Sequence, residues 1–202
     1  GAACLKASLE AGEVTTVSKI NTIADGTAVQ TPGDKLFPYL QANVDHVITV
    51  DDSELTLSFL DMAENHKMIV ENSGLLTVAA LKHLDFKGKK VVSVLSGGNM
   101  DVLTMATVVQ NGLMQRDRIF TVSVMLPDKP GQLAAVSSLI AKEQGNVIKL
   151  EHNVFANVNR TAGVELTITL ESFGTEHKDQ IIKALEAAGY CPVITKTNGI
   201  YM

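Results

Sequence analysis

The tightest constraint on the fold comes from residues 119–194, where the hydrophobic period switches between two and about 3.6 in a fixed order. Phe120, Val122, Val124 and Leu126 alternate with Thr121 and Ser123, the pattern of a half-buried strand. Asp128-Lys129-Pro130-Gly131 then turns into a helix whose apolar stripe is Leu133, Val136, Leu139 and Ile140, and Gly145 stops it. Ile148, Leu150 and Val154 predict a second strand. Val164, Leu166, Ile168 and Leu170 against Glu165, Thr167, Thr169 and Glu171 predict a third, joined to the second by a polar hairpin from Asn157 to Ala162. A last helix from Thr175 buries Ile181, Ile182 and Leu185, stops at Gly189 and leads to a short strand at Val193 and Ile194. This order, βαββαβ in ~80 residues, is the ferredoxin-like split βαβ.

The first part of the chain follows a different plan. Asp45 to Val50 reads as a buried strand, and Asp51-Asp52-Ser53-Glu54 suits the start of a helix carrying Leu55, Phe59, Met62 and Ala63. Ser73-Gly74 opens a second helix through about Leu84, Val91 to Leu95 is a strongly apolar strand, and a third helix runs from Met100 to about Leu113. Strand, helix, helix, strand, helix is the order of an open α/β sheet. Residues 14–40 lack a clear period and read as an extended loop at the sheet's edge. Before residue 115 there are 8 Lys, no Arg and 13 acids, whereas from 115 onward 9 basic residues balance 9 acidic ones. The polar segment Gln115-Arg116-Asp117-Arg118 therefore marks a boundary between domains at 1–114 and 115–202.

Charge and composition narrow the function. A net charge of −5 with no run of Lys or Arg argues against nucleic acid as the main partner and against a basic membrane-binding surface. No apolar stretch approaches the ~18 residues of a bilayer span, and no signal-peptide pattern opens the chain, so a cytoplasmic protein is expected. The chain begins Gly1-Ala2-Ala3-Cys4 without Met and reads as a piece of something longer. Cys4 and Cys191 match no metal-ligand spacing, and the five histidines never pair at one, so these residues predict no metal. His152, in phase with Leu150 and Val154, is expected to be a half-buried structural histidine.

Ser96-Gly97-Gly98-Asn99 is the sharpest chemical feature. Its glycines permit close backbone approach, and it stands where open α/β sheets bind ligands. A plain strand-to-helix turn with Asn99 as cap would have the same spacing. The surrounding strings weigh toward the ligand loop. Ile23-Ala24-Asp25-Gly26-Thr27-Ala28-Val29, Val70-Glu71-Asn72-Ser73-Gly74 and the segment from Val91 to Asp101 together resemble the threonine ammonia-lyases, or threonine dehydratases. Residues 1–114 resemble the later part of their fold-type II pyridoxal phosphate catalytic domain, and 119–196 resemble one ACT domain. This is the family's medium-length form.

The resemblance implies an α/β fold class, a pyridoxal 5'-phosphate cofactor and conversion of L-threonine to 2-oxobutanoate and ammonia. Ser96 corresponds to the residue whose hydroxyl meets the cofactor's pyridine nitrogen, with Gly97 and Asn99 shaping the loop and Glu71 the nearby carboxylate. The Schiff-base lysine of the family sits in a Ser-Phe-Lys-x-Arg-Gly-like segment. No Arg precedes Arg116, so none of the eight earlier lysines corresponds to it, and the phosphate-binding glycine loop is also missing. No catalytic residue is therefore assigned to this chain, which is expected to be inactive alone. In the ACT region, Gly131, Gln132 and Leu133 at a helix N-terminus and Asn146 and Val147 after that helix correspond to effector contacts, with isoleucine and valine as the implied effectors. A homo-oligomer is expected, since the exposed sheet edge and an interface-bound effector both require a partner. The alternatives are a non-catalytic amino-acid-binding module and a dehydratase acting on serine or 3-hydroxyaspartate.

Overall fold

Caps and anchoring side chains determine how the first part of the chain folds. The computed structural model describes residues 1–153 and 163–197 and divides into two compact units, Gly1–Gly112 and Leu113–Met202. In the first unit, α1 (Cys4–Ala11) ends at Gly12, which adopts a left-handed conformation, and α2 (Phe37–Asn43) carries Pro38 in its first turn. Helix α3 (Asp52–Asp61) starts with a capping box. The Asp51 side chain takes a backbone N–H at the third helical position, and Glu54 Oε2 accepts the Asp51 N–H at 2.8 Å. The backbone continues as a π-helical turn, Met62–His66, closed by Lys67 at φ 57°. Two further helical pieces follow: α4 (Leu76–Ala79), which tightens into a 3-10 turn at Ala80–His83, and α5 (Val102–Gln115). Leu55, Phe59, Leu75, Ala79 and Val108 gather as this unit's buried core.

The helices stand close to where their patterns predict them, but the two apolar segments of this unit do not form strands. Residues 44–50 and 90–101 are irregular, and the sheet found among the described residues lies wholly in the second unit. A strand exists through its ladder of hydrogen bonds, and within this unit neither segment finds one. Side-chain bonds hold the second segment instead, with Thr77 Oγ1 donating to the Val94 carbonyl at 3.0 Å. Val92 remains 88% exposed and Val94 67%.

In the second unit the alternation is satisfied. Strand β1 (Ile119–Leu126) leads to α6 (Gln132–Lys142), β2 (Asn146–Asn153), β3 (Val164–Glu171), α7 (Thr175–Ala187) and β4 (Val193–Thr195). All pairs are antiparallel in the order β2-β3-β1-β4, the split βαβ topology. The register sets Val122 opposite Ile168 and Val124 opposite Leu166, and these side chains pack with Val136 and Ile140 of α6 and Ile181 and Leu185 of α7. Each fully buried side chain of this kind contributes about 1.5–3 kcal/mol. On the edge strand β2, Leu150 and His152 are exposed, so the expected half-buried histidine is not found there. The predicted hairpin from Asn157 to Ala162 and the strand residue Val154 lie outside the described residues.

Candidate functional site

Three of the four residues assigned to the cofactor loop meet through one carboxylate. Gly97 has φ 80°, a left-handed conformation that glycine adopts without strain. It lies so close to Glu71 that a Cβ there would stand 2.2 Å from the carboxylate carbon. Glu71 Oε2 accepts the Asn99 N–H at 3.2 Å, and the Glu71 N–H reaches the Gly97 carbonyl at 3.4 Å. Below the loop, a Cβ at Gly74 would lie 2.0 Å from the Ser96 carbonyl oxygen. Gly74 thus sets the loop's height from beneath, a role that the sequence reading did not assign to it. The other side is open: a Cβ at Gly98 would find only the Ile69 carbonyl, at 4.0 Å. The exposed Ser96 hydroxyl has no hydrogen-bond partner among the described residues.

A second missed residue is Asp52, which appears in the sequence as one more helix-start acid. Its carboxylate accepts the Thr22 hydroxyl at 2.6 Å and the Ile23 N–H at 3.0 Å, while Asn72 Nδ2 donates to the Ile23 carbonyl at 3.0 Å. These bonds draw the 3-10 turn Asp25–Thr27 toward the loop, where a Cβ at Gly26 would lie 3.5 Å from Glu71 Oε1. The signal for Asp52 was only its place beside Asp51, since a contact spanning 30 residues leaves no local pattern. Ser73 Oγ and Asn72 Oδ1 are buried without a partner among the described residues, and a groove of about 470 Å³ lined by Asp25, Asn72, Asn99 and Thr104 runs alongside. At its rim Asp101 caps α5. Hydrogen bonds from the Thr104 hydroxyl and N–H and from the Leu103 N–H hold its carboxyl below the ordinary value against the opposing effect of desolvation.

The arrangement leaves room for a ligand beside Ser96. The loop is pinned from below, open above, and presents a free neutral hydroxyl that can face a ring nitrogen. Nothing in the set Ser96, Gly97, Asn99 and Glu71 forms a cradle for a phosphate. Among the described residues there is also no cluster of three or more His, Cys, Asp or Glu side chains that could hold a metal, and no helix is long and apolar enough to cross a membrane.

The effector residues are placed differently. Gly131, at φ 89°, precedes α6, and a Cβ there would meet nothing within 4 Å. The Gln132 N–H is engaged with the Lys129 carbonyl at 3.4 Å, so it is not a free helix-start amide. Leu133 packs against the core. Asn146 Nδ2 donates to Glu171 Oε2 at 3.1 Å, and the exposed Val147 stands opposite Leu170 beside a bulge in β2. The register places the two groups at opposite ends of the sheet. Gly131 follows the Leu126 end of β1, and Asn146 pairs with Glu171, which faces Ile119 at the other end. Eight residues of strand, roughly 25 Å, separate them within one copy.

Comparison with known proteins gives these sites a family context. Residues 1–97 match the family described as Pyridoxal-phosphate dependent enzyme, and residues 120–189 match the ACT domain. An L-threonine ammonia-lyase of Geobacter sulfurreducens is 36% identical over 192 residues, covering 94% of this chain and 48% of that enzyme. One from Thermotoga maritima is 34% identical, covering 91% and 46%. The processed form of threonine deaminase isoform 2 from Solanum lycopersicum superimposes with a TM-score of 0.50 at 26% identity, over 55% of this chain and 34% of that structure. The chain thus spans about half the length of the curated relatives it matches.

Proposed function

Because this chain is homologous over nine-tenths of its length to about half of a threonine ammonia-lyase, we propose that it supplies part of the catalytic domain and the sensing domain of an enzyme converting L-threonine to 2-oxobutanoate and ammonia. In this reading residues 1–114 form one wall of a pyridoxal phosphate site, residues 115–202 form the sensor, and the enzyme works in the cytoplasm. When bound, pyridoxal phosphate draws electron density from the substrate's α-carbon so that the β-hydroxyl can leave as water. Ser96 would meet the pyridine nitrogen with a hydroxyl that, unlike a carboxylate, would not hold that nitrogen protonated, which would favour elimination over transamination. Glu71 fixes the Asn99 N–H and fills the space that Gly97 leaves, so the loop presents Ser96 in one geometry. The chain offers no group assigned to the proton abstraction, and it turns over no threonine by itself.

The observation that carries this reading is the pairing of a pinned Gly97 with a Ser96 hydroxyl that has no partner among the described residues. Replacing Ser96 by Asp in the holoenzyme containing this chain should lower 2-oxobutanoate formation at least tenfold, measured on threonine, serine and 3-hydroxyaspartate. Unchanged threonine turnover would remove Ser96 from the site, and faster turnover of serine would shift the substrate.

The opposed positions of Gly131 and Asn146 support an effector site completed by two copies, with Gly131 to Leu133 from one and Asn146 and Val147 from the other. Such a site takes a small branched amino acid, isoleucine or valine, and makes the chain a homo-oligomer.

A further inference from the structure

We infer that His177 is a positioning residue for the turn between α6 and β2, and through that turn for Asn146 and Val147. This rests on the effector site proposed above. His177 lies in the first turn of α7 and is 9% exposed. The Phe173 N–H donates to its Nδ1 at 3.0 Å, so the ring carries its proton on Nε2, which donates to the Glu143 carbonyl at 2.6 Å. The Phe173 ring stacks on the imidazole with centroids 4.8 Å apart.

Glu143 caps the C-terminus of α6, where the last carbonyls have no partner within the helix. From there the chain has little room. The Gln144 N–H bonds the Ala141 carbonyl at 3.0 Å and the Gly145 N–H bonds Ile140 at 2.9 Å. Gln144 is left-handed at φ 64°, and a Cβ on Gly145 would come within 2.9 Å of both Ile140 and Ile181. Asn146 follows at once and donates to Glu171 on β3. A single side chain from α7 therefore fixes the carbonyl three residues before the effector contact. The groove of about 550 Å³ beside it, lined by Lys142, Gln144, Glu176 and Gln180, leaves the outer side of the turn in solvent, so on the α7 side the turn is held by the bond from His177.

Two substitutions separate the two bonds. In the 202-residue chain, His177→Gln keeps an amide donor at the reach of Nε2, whereas His177→Asn keeps only the acceptor for Phe173. The inference predicts faster amide hydrogen exchange at Gln144, Gly145 and Asn146 in the Asn variant and near-native exchange in the Gln variant. L-isoleucine binding should weaken roughly tenfold in the Asn variant alone, the size of one lost hydrogen bond. If both variants exchange and bind alike, the inference is overturned. If the unsubstituted chain binds neither isoleucine nor valine, the effector reading fails, and hydrogen exchange alone still decides whether His177 holds the turn. Should the Asn variant not fold, nitrogen NMR of the imidazole in the unsubstituted chain decides: a slowly exchanging proton on Nε2 supports the bond to Glu143, and a proton on Nδ1 overturns it.

Discussion

The two units contain similar strand-forming sequence and treat it in opposite ways. In the C-terminal unit, Val122, Val124, Leu166, Ile168 and Leu170 are fully buried because each strand lies beside another and beneath two helices. In the N-terminal unit, residues 91–95 are at least as apolar, yet Val92 and Val94 stand in solvent. Period and composition say which residues prefer a strand, but only a neighbouring ladder makes one.

The contrast should be largest in the cores. Leu166→Ala should cost the C-terminal unit about 2–5 kcal/mol, whereas Val92→Ala should stay within about 0.5 kcal/mol, both measured by denaturant unfolding. Equal effects would mean that the exposed segment is buried in solution. The glycines in and under the loop give the next largest effect. Gly74→Ala sets a methyl against backbone, and should cost about 1–3 kcal/mol that no side-chain change relieves. Gly97→Ala meets the Glu71 side chain, so adding Glu71→Ala should recover part of its loss, read as thermal midpoint in the double mutant. Losing the α3 cap through Asp51→Ala should cost about 1 kcal/mol, seen as lower stability of the N-terminal unit only.

The smallest effect is electrostatic. Burial pushes the Asp117 carboxyl up, but hydrogen bonds from Lys178 and Thr175 and the Lys178 charge outweigh it and hold the group below the ordinary carboxylate value. A lowered folded value means that this contribution is complete above the unfolded value near 4 and fades as pH falls through the folded one. Asp117→Asn should therefore cost at most about 1 kcal/mol at neutral pH, and the gap to the unsubstituted chain should close in acid. A gap that persists in strong acid would assign the effect to packing.

Much of this was legible locally. The alternation from Val164 to Glu171 and the stripe Leu133, Val136, Ile140 led directly to β3 and α6, because period two and period 3.6 act within one element. The loop at Ser96 was legible as a motif, and Glu71 as its nearby carboxylate through the family resemblance. Gly74 and Asp52 were not, since they act across 22 and 30 residues of chain through contacts that no short pattern encodes. The separation of Gly131 from Asn146 also needed the register, because their closeness in sequence hides that α6 carries the chain from one end of the sheet to the other.

That separation allows the most direct test of a sensing subunit whose effector site is shared between copies. Calorimetric titration of L-isoleucine would be run on chains carrying Gly131→Val, on chains carrying Asn146→Ala, and on their mixture. Each variant alone should bind nothing, and mixing should restore binding at one site per mixed pair, where an intact Gly131 meets an intact Asn146. A mixture as silent as its components, or a single variant that binds as well as the unsubstituted chain, would contradict the shared site.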